Sequence, residues 1–366
     1  MSVLSSLTAV IAADIASAGG WIGFDRFMAQ ALYTPGLGYY TRGDSQFGAM
    51  PEGVKGGGGD FVTAPELSPL YGRALAVQVA DALEASGTDE VWEFGAGTGA
   101  LAAQMLEVLG ERVRRYTIVD LSGTLRARQQ STLAAYGDRV RWADRLPDAL
   151  QGVVVGNEVL DAMPVQLLAR VRGDWFERGV VDDGAGGFAW SDRPTELRPP
   201  SDVAGPHDYL TEIHPQGRAF VASLADRLTR GAALLIDYGF PESEYYHPQR
   251  HMGTVMCHRE HRADSDPLSD VGVKDITAHV DFTGVAMAAQ DAGLEVLGYT
   301  SQAHFLYNCG FAQMLETLSP AQRGLPLHLV NEHEMGELFK VIALGRGLPA
   351  EWMPVGFTNG DRSHRL

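Results

Sequence analysis

The chain has 366 residues, 45% hydrophobic and 20% charged, a composition typical of a globular α/β domain with insertions. Its 46 acidic and 29 basic residues give a formal net charge of -17, which argues against a nucleic acid partner because phosphate backbones are bound by clustered Lys and Arg. Two cysteines, Cys257 and Cys309, exclude a disulfide framework and indicate a reducing compartment, so we expect a cytoplasmic location.

The N-terminal segment is apolar but carries the marks of a helix. Leu7, Ile11 and Ile15 recur at helical spacing, Asp14 interrupts the run, and no basic residue precedes it. The pattern predicts an amphipathic helix that packs on the body, in preference to an export signal. No apolar run approaches the roughly 18 residues of a membrane span. A second short helix is predicted over 24–33.

A glycine-rich stretch follows, with Gly53 and Gly56–Gly59. It is either a disordered loop or a mobile flap beside a site, because so many glycines are costly to order. A helical rhythm then runs from Glu66 to Ala85.

Beyond residue 90, short apolar runs alternate with helical stretches. The predicted strands are Val91–Phe94, Tyr116–Val119, Val153–Val155 and Ala233–Ile236, and the predicted helices are Leu101–Leu109, Leu125–Tyr136 and Gly217–Arg230. This alternation indicates βαβ units and a parallel sheet covered on both faces.

Two insertions and a C-terminal third complete the predicted organisation. Antiparallel hairpins are predicted over 166–200, and a long insertion rich in His, Asp and Pro covers 241–280. A helix over 283–292, a strand over 295–299 and a final strand over 338–344 follow. By analogy with known folds, this ending suits a seven-stranded sheet with one antiparallel strand near its edge.

The sequence VWEFGAGTGA follows a predicted strand and opens a helix. Gly95, Gly97 and Gly99 let the backbone turn sharply beside a ligand. Asp120 ends the next strand and can accept hydrogen bonds from both ribose hydroxyls of an adenosine cofactor. The spacing also satisfies a dinucleotide fingerprint, so NAD(P) stays an alternative. Glu93 favours S-adenosylmethionine, because a carboxylate beside a diphosphate is unfavourable.

At this point the chain resembles the MidA-type methyltransferases, whose mitochondrial members assist respiratory complex I assembly by methylating arginine. The resemblance spans residues 24 to about 345, apart from glycine-rich and 250–270 insertions. It is carried by the segments FMAQALYTPGLGYY (27–40), GDFVTAPELSPLYG (59–72), EFGAGTG (93–99), VDLS (119–122), GNEVLDAMPV (156–165), IDYG (236–239), DITAHVDF (275–282) and QAHFLYNCG (302–310).

The resemblance implies an α/β fold with a seven-stranded Rossmann-like sheet of the class I methyltransferase type, a helical N-terminal extension and insertions. We expect one methyltransferase domain over 1–366. Its parts are an extension with the glycine-rich loop (1–88), a cofactor-binding half (89–165), a hairpin insertion (166–205), a second half of the sheet (206–345, with the 241–280 insertion) and a tail (346–366).

The resemblance also implies a set of residues that bind S-adenosylmethionine. The expected cofactor-binding residues are Thr63, Pro65, Glu66, Glu93, Gly95, Gly97, Gly99, Asp120, Leu121 and Asn157. Thr63 or Ser68 has a second interpretation as a helix cap, and the two roles can coexist.

For an arginine substrate, carboxylates must grip the guanidinium, whose pKa lies above about 12. Glu158 and Asp161 follow the predicted strand Val153–Val155 and would share one side of a helical turn. Alternatively, Asp161 caps the segment and Glu158 is solvated. Asp281 is a weaker further candidate. The reaction needs no metal, and the histidines lack a compact ligand motif.

The sequence therefore predicts a methyltransferase that acts on an arginine of a protein substrate. A non-catalytic assembly module that binds the cofactor and a methyltransferase for small molecules are the alternatives. Whether the chain forms a homodimer stays open.

Overall fold

The computed structural model describes residues 3–42, 63–120, 123–259 and 262–366. The glycine-rich stretch with Gly53 and Gly56–Gly59 lies outside the described residues, as does Leu121. Described elements are labelled in chain order.

The helices are α1 (Val3–Ser17), α2 (Phe24–Tyr33), α3 (Ala64–Leu67), α4 (Pro69–Ser86), α5 (Ala100–Leu109), α6 (Gly123–Thr132), α7 (Pro215–Arg227), α8 (Glu242–Tyr245), α9 (Phe282–Asp291), α10 (Gln302–Asn308), α11 (Phe311–Glu316) and α12 (Gly324–Leu327). The strands are β1 (Ile22–Gly23), β2 (Glu90–Phe94), β3 (Arg115–Val119), β4 (Val140–Ala143), β5 (Leu150–Asn157), β6 (Gln166–Val171), β7 (Asp174–Asp182), β8 (Phe188–Pro194), β9 (Tyr209–Ile213), β10 (Leu228–Phe240), β11 (Met256–Arg259), β12 (Arg262–Asp264), β13 (Asp275–Thr277), β14 (Val280–Asp281), β15 (Glu295–Ser301) and β16 (Phe339–Arg346).

The chain divides into two compact units. The first comprises 1–61, 161–218 and 240–284, and the second comprises 62–160, 219–239 and 285–366. Among the described residues, no helix is both long and apolar enough to cross a bilayer.

The second unit contains a mainly parallel sheet. Among the described residues this sheet has eight strands, of which seven form a path in the order β15-β16-β10-β5-β2-β3-β4 and β14 is the eighth, so the predicted count of seven is not confirmed. The five from β10 to β4 pair in parallel. β16 runs antiparallel to both neighbours, so the predicted antiparallel strand near the edge is confirmed. The predicted α/β class is confirmed as well.

The strands of this sheet are buried on both faces. Val153, Val154 and Val155 are consecutive in β5, and all three are fully buried, as expected for a parallel strand covered on each side. On one face, α4 and α5 pack with Leu75, Val79 and other apolar residues in the core. Burial of this apolar surface stabilises the unit by roughly 25 cal/mol per Å².

Local signals set the ends of α4. The Ser68 hydroxyl accepts a hydrogen bond from the Leu70 amide (3.2 Å), which makes Ser68 the N-cap and confirms its predicted role as a helix cap. Gly87 ends the helix at φ 62°, a left-handed conformation that suits glycine. Thr63 is the N-cap residue of α3, without a hydrogen bond from its side chain to the helix.

The first unit is built on an antiparallel sheet. β1, β7, β6 and β9 pair in that order, and β8 pairs with β7, so the predicted hairpins are confirmed in β6, β7 and β8. The predicted N-terminal helix is also confirmed, because Leu7, Ile11 and Ile15 are buried in the core of this unit. A three-stranded sheet in the order β12-β11-β13 lies within the long insertion.

Several predicted helix boundaries were wrong. The helix predicted from Leu125 to Tyr136 ends at Thr132, and the rhythm from Glu66 to Ala85 is divided between α3 and α4. The predicted helix over 217–230 ends at Arg227, and residues 228–230 begin β10. Leu228 pairs with Leu150 of β5, and this pairing outweighs the helical pattern of the segment.

Candidate functional site

Parallel pairing in the second unit brings several strand ends together. Phe94, the last residue of β2, pairs with Val119 of β3 and with Gly156 of β5. Asn157 at the end of β5 pairs with Ile236 of β10. The residues that follow these strands therefore share the carboxyl edge of the sheet, where open α/β folds bind their ligands.

The glycine loop has the geometry predicted for it. Gly95, Gly97 and Gly99 have φ angles of 62°, 51° and 84°, all in the region that favours glycine. A β-carbon at Gly99 would lie in ordinary contact with the Gln129 Cα atom of α6, 3.4 Å away, so the left-handed φ is what favours glycine there. The loop is thus specified by its turn.

Gln129 connects the glycine loop to Asp120. Its side-chain amide donates to the Gly97 carbonyl (3.0 Å) and to the Asp120 carboxylate (2.7 Å), and its oxygen accepts from the Trp142 indole (2.9 Å). Gln129 is fully buried. Sequence reasoning missed it, because a lone glutamine in a helix gives no signal before the packing of α6 is known.

These residues fit an adenosine cofactor. Gly95 is exposed, and a β-carbon there would approach the Val159 Cγ2 atom at 3.3 Å, so a side chain would narrow the space at the strand end. Asp120 offers carboxylate oxygens as acceptors for ribose hydroxyls. Leu121, the next predicted cofactor-binding residue, lies outside the described residues.

The Thr63–Glu66 segment lies against the same loop. The Glu66 carboxylate accepts a hydrogen bond from the Thr98 hydroxyl, and the Pro65 carbonyl accepts from the Gln104 side chain (2.8 Å). The structure therefore brings this segment to the glycine loop, as a cofactor-binding role requires. That role itself stays a prediction.

Glu93 lies inside β2 and is buried. Its side chain accepts a hydrogen bond from the Tyr116 hydroxyl (2.6 Å), and the residue is 2% exposed. Burial raises the pKa of Glu93 to about 7, the Tyr116 hydrogen bond lowers it, and the nearby Asp120 charge raises it. The structure thus places this carboxyl group beneath the loop.

The segment after β5 holds Asn157 and Glu158 in a hydrogen-bonded chain. The Tyr71 hydroxyl donates to the Asn157 Oδ1 atom, and the Asn157 side-chain amide donates to Glu158 Oε1 (2.9 Å). Glu158 has a φ of 54°, which is left-handed and uncommon for a residue with a β-carbon. Such strain is frequent at functional sites.

The predicted helical turn over 158–161 was wrong. The structure has no helix there, because the left-handed φ of 54° at Glu158 is incompatible with a right-handed turn. The Val159 and Leu160 amides donate to the Asp237 carboxylate (3.1 and 2.9 Å). Glu158 belongs to the second unit and Asp161 to the first. Sequence reasoning missed Asp237, although a charged residue within an apolar strand was a visible signal.

Asp161 and Asp281 are buried in the first unit. The Asp161 carbonyl accepts from the Ala278 amide (2.9 Å), and the Asp281 side chain accepts from the Gly284 amide (3.1 Å). Burial raises the pKa of Asp281 to about 6, and the Gly284 amide opposes this rise. The part of the chain that the structure describes contains no cluster of His, Cys, Asp or Glu suited to a metal ion.

The strain at Glu158 makes a prediction about stability. We expect Glu158→Gly to unfold at higher urea concentration than Glu158→Ala, because only glycine avoids the left-handed penalty of about 1 kcal/mol. At Glu107, an exposed position within helix α5, Ala should be the more stable residue. An Ala variant more stable than Gly at position 158 would contradict the backbone geometry.

The burial of Glu93 makes a prediction about pH. The carboxyl group is protonated in both states below pH 4.5, so its contribution to stability is lost as pH rises through about 7. We expect wild type to lose about 3 kcal/mol of unfolding free energy relative to Glu93→Gln between pH 4.5 and 8. Urea denaturation of wild type and Glu93→Gln across this range measures the difference. Tyr116→Phe removes the hydrogen bond that lowers the pKa of Glu93, so the loss should be larger in that variant. A constant difference would sink the prediction.

Sequence comparison shows that the chain is similar to known methyltransferases. The mitochondrial protein arginine methyltransferase NDUFAF7 of Danio rerio is 28% identical, over 93% of this chain and 88% of its own. The human protein of the same name is also 28% identical, over 87% of this chain and 78% of its own.

Solved structures and a family model give the fold and the cofactor. A Burkholderia thailandensis protein bound to S-adenosyl-homocysteine is 49% identical, with a TM-score of 0.93 over 100% of this chain and 97% of its own. A native crystal structure from the same organism has 48% identity and a TM-score of 0.88 over the same shares. The model of an S-adenosyl-L-methionine-dependent methyltransferase family matches residues 74–300, which confirms the predicted cofactor over NAD(P). The chain belongs to this family of methyltransferases.

Proposed function

We propose that the protein transfers a methyl group to an arginine of a protein substrate. The observation that carries the proposal is the Glu158 carboxylate, held in a left-handed conformation at the carboxyl edge of the sheet. The names of the NDUFAF7 relatives support the choice of arginine. A guanidinium group is the side chain that such a carboxylate binds best, through paired charge-assisted hydrogen bonds.

The chemistry needs alignment more than activation. S-adenosylmethionine, when bound, would supply a methyl group already activated on a sulfonium, with the S–CH3 bond breaking and S-adenosylhomocysteine as the leaving group. Glu158 orients the guanidinium and polarises one nitrogen, and its carboxylate accepts the proton that this nitrogen loses when it gains the methyl group. Such positioning can lower the activation barrier by up to roughly 7–11 kcal/mol. Proton transfer to a placed carboxylate typically accelerates a reaction about 10²–10⁴-fold.

Asp161 and Asp281 remain candidates for the same substrate. Both carboxylates are buried in the first unit, and the pKa of Asp281, raised to about 6 by burial, leaves it mostly ionised at neutral pH. An ionised carboxylate in a poorly solvated place binds a cation more strongly than one in water. Their part in substrate binding is a proposal that rests on this burial and on the family resemblance.

The cellular setting is also part of the proposal. A role in respiratory complex I assembly follows only from the family resemblance, and a cytoplasmic location is supported by Cys257 and Cys309, both free and buried. Whether the chain forms a homodimer stays open. Cell fractionation tests the location, and sedimentation velocity of the purified chain tests for a homodimer.

Labelling identifies the nucleophile. Purified protein is incubated with methyl-labelled S-adenosylmethionine and an extract from cells that lack it, and acid hydrolysates are searched for methylated arginine. We expect labelled arginine with wild type and about hundredfold less with Glu158→Gln. S-adenosylhomocysteine affinity should stay within about twofold, because Glu158 acts on the substrate in this mechanism.

The matched control is Glu111→Gln, the same substitution at a side chain that is 99% exposed, which should label as wild type does. Label on another residue type or on a small molecule would replace arginine as the nucleophile. Cofactor binding without any transferred label would instead favour a non-catalytic binding module.

A further inference from the structure

The Asp237 carboxylate is buried where β10 ends, and it is satisfied by backbone amides. Its Oδ2 atom accepts from the Val159 and Leu160 amides (3.1 and 2.9 Å), and its Oδ1 atom accepts from the Tyr238 amide (3.0 Å). Asp237 is 1% exposed. A buried carboxylate is costly unless hydrogen bonds compensate for lost water, and these three backbone amides supply that compensation.

Asp237 and its neighbour in β10 bind a short stretch of backbone that follows β5. The Glu158 amide donates to the Ile236 carbonyl (2.9 Å), so three consecutive amides, 158 to 160, are bound to two consecutive residues of β10. The left-handed φ of 54° at Glu158 lies within this stretch. Strained backbone persists only where its surroundings over-determine it, and these three bonds do so.

Tyr71 acts on the Glu158 side chain from helix α4. Its hydroxyl donates to Asn157 Oδ1, which orients the amide group of Asn157 so that Nδ2 faces Glu158 Oε1 at 2.9 Å. Burial raises the pKa of Tyr71 well above its ordinary value, and the Glu158 and Asp237 charges raise it further. The hydroxyl therefore stays protonated and remains a donor.

We propose that Asp237 and Tyr71 are positioning residues for Glu158. Asp237 holds the backbone of the two residues after Glu158, and Tyr71 orients one carboxylate oxygen of Glu158 through Asn157. The inference rests on the proposed function, in which Glu158 binds the guanidinium of the substrate.

Two variants separate the two contacts. Asp237→Asn changes the backbone anchor, and Tyr71→Phe removes only the hydroxyl. Tyr136→Phe is the matched control, because it also removes a tyrosine hydroxyl that donates a hydrogen bond in the second unit, to the Ala103 carbonyl (3.1 Å). The readouts are hydrogen exchange in peptides covering 157–163, S-adenosylhomocysteine affinity, and kcat and KM with the labelled protein acceptor.

We expect exchange at the Val159 and Leu160 amides to become roughly tenfold faster in Asp237→Asn and to stay unchanged in Tyr71→Phe. Both variants should lose about tenfold in kcat, with KM and S-adenosylhomocysteine affinity unchanged, because a displaced carboxylate weakens the transition state more than binding. Tyr136→Phe should change none of these values.

Unchanged exchange at these amides in Asp237→Asn, or an unchanged kcat in both variants, would overturn the proposal. So would faster exchange spread over the whole second unit together with weaker S-adenosylhomocysteine binding, the pattern of a merely structural role. Absence of labelled arginine with wild type sinks the proposed function instead, and the exchange measurement still decides whether Asp237 anchors the segment.

Discussion

Parallel pairing of β10, β5, β2 and β3 is the constraint on which the site in the second unit depends. Since parallel strands end at one edge, the pairs Phe94–Val119, Phe94–Gly156 and Asn157–Ile236 bring the following residues together without any loop having to reach across the sheet. The functional groups then differ only in how each segment turns away from its strand. Rigid strand ends are what give a binding site its precision.

Two turns at this edge solve different problems. After β2 the chain uses glycines, whose left-handed angles cost little. The absence of a side chain at Gly95 leaves room for a ligand. After β5 the same kind of angle falls on Glu158, which carries the carboxylate that the proposed function requires. The cost at Glu158 is met by hydrogen bonds from three successive amides to β10. Under the proposed function, stability and function are therefore in tension at Glu158.

Much of the fold was predictable because its signals are local. The apolar run Val153–Val155 and the helix of 24–33 are both read from periodicity, and the structure has both elements. Strands such as β4 and β9 were missed because each is short and stabilised by a partner distant in sequence. Gln129 bonds to a residue 32 positions away, and Asp237 bonds to one 78 positions away. Local sequence spacing does not predict contacts over such separations. The position of these strand-end residues at one edge was thus predictable, but their supporting hydrogen bonds were not, and the roles of the residues stay predictions.

The charges near this edge explain why the cofactor and the proposed substrate suit one another. S-adenosylmethionine and a guanidinium are both cations, and placing two cations side by side is unfavourable unless anions lie nearby. Glu66, Asp120 and Glu158 supply carboxylates in the segments that surround the glycine loop and the end of β5. Glu93, whose pKa burial raises to about 7, limits how much further negative charge accumulates beneath the loop. The same acidic surroundings would repel a diphosphate, so charge as well as fold separates this site from a dinucleotide site.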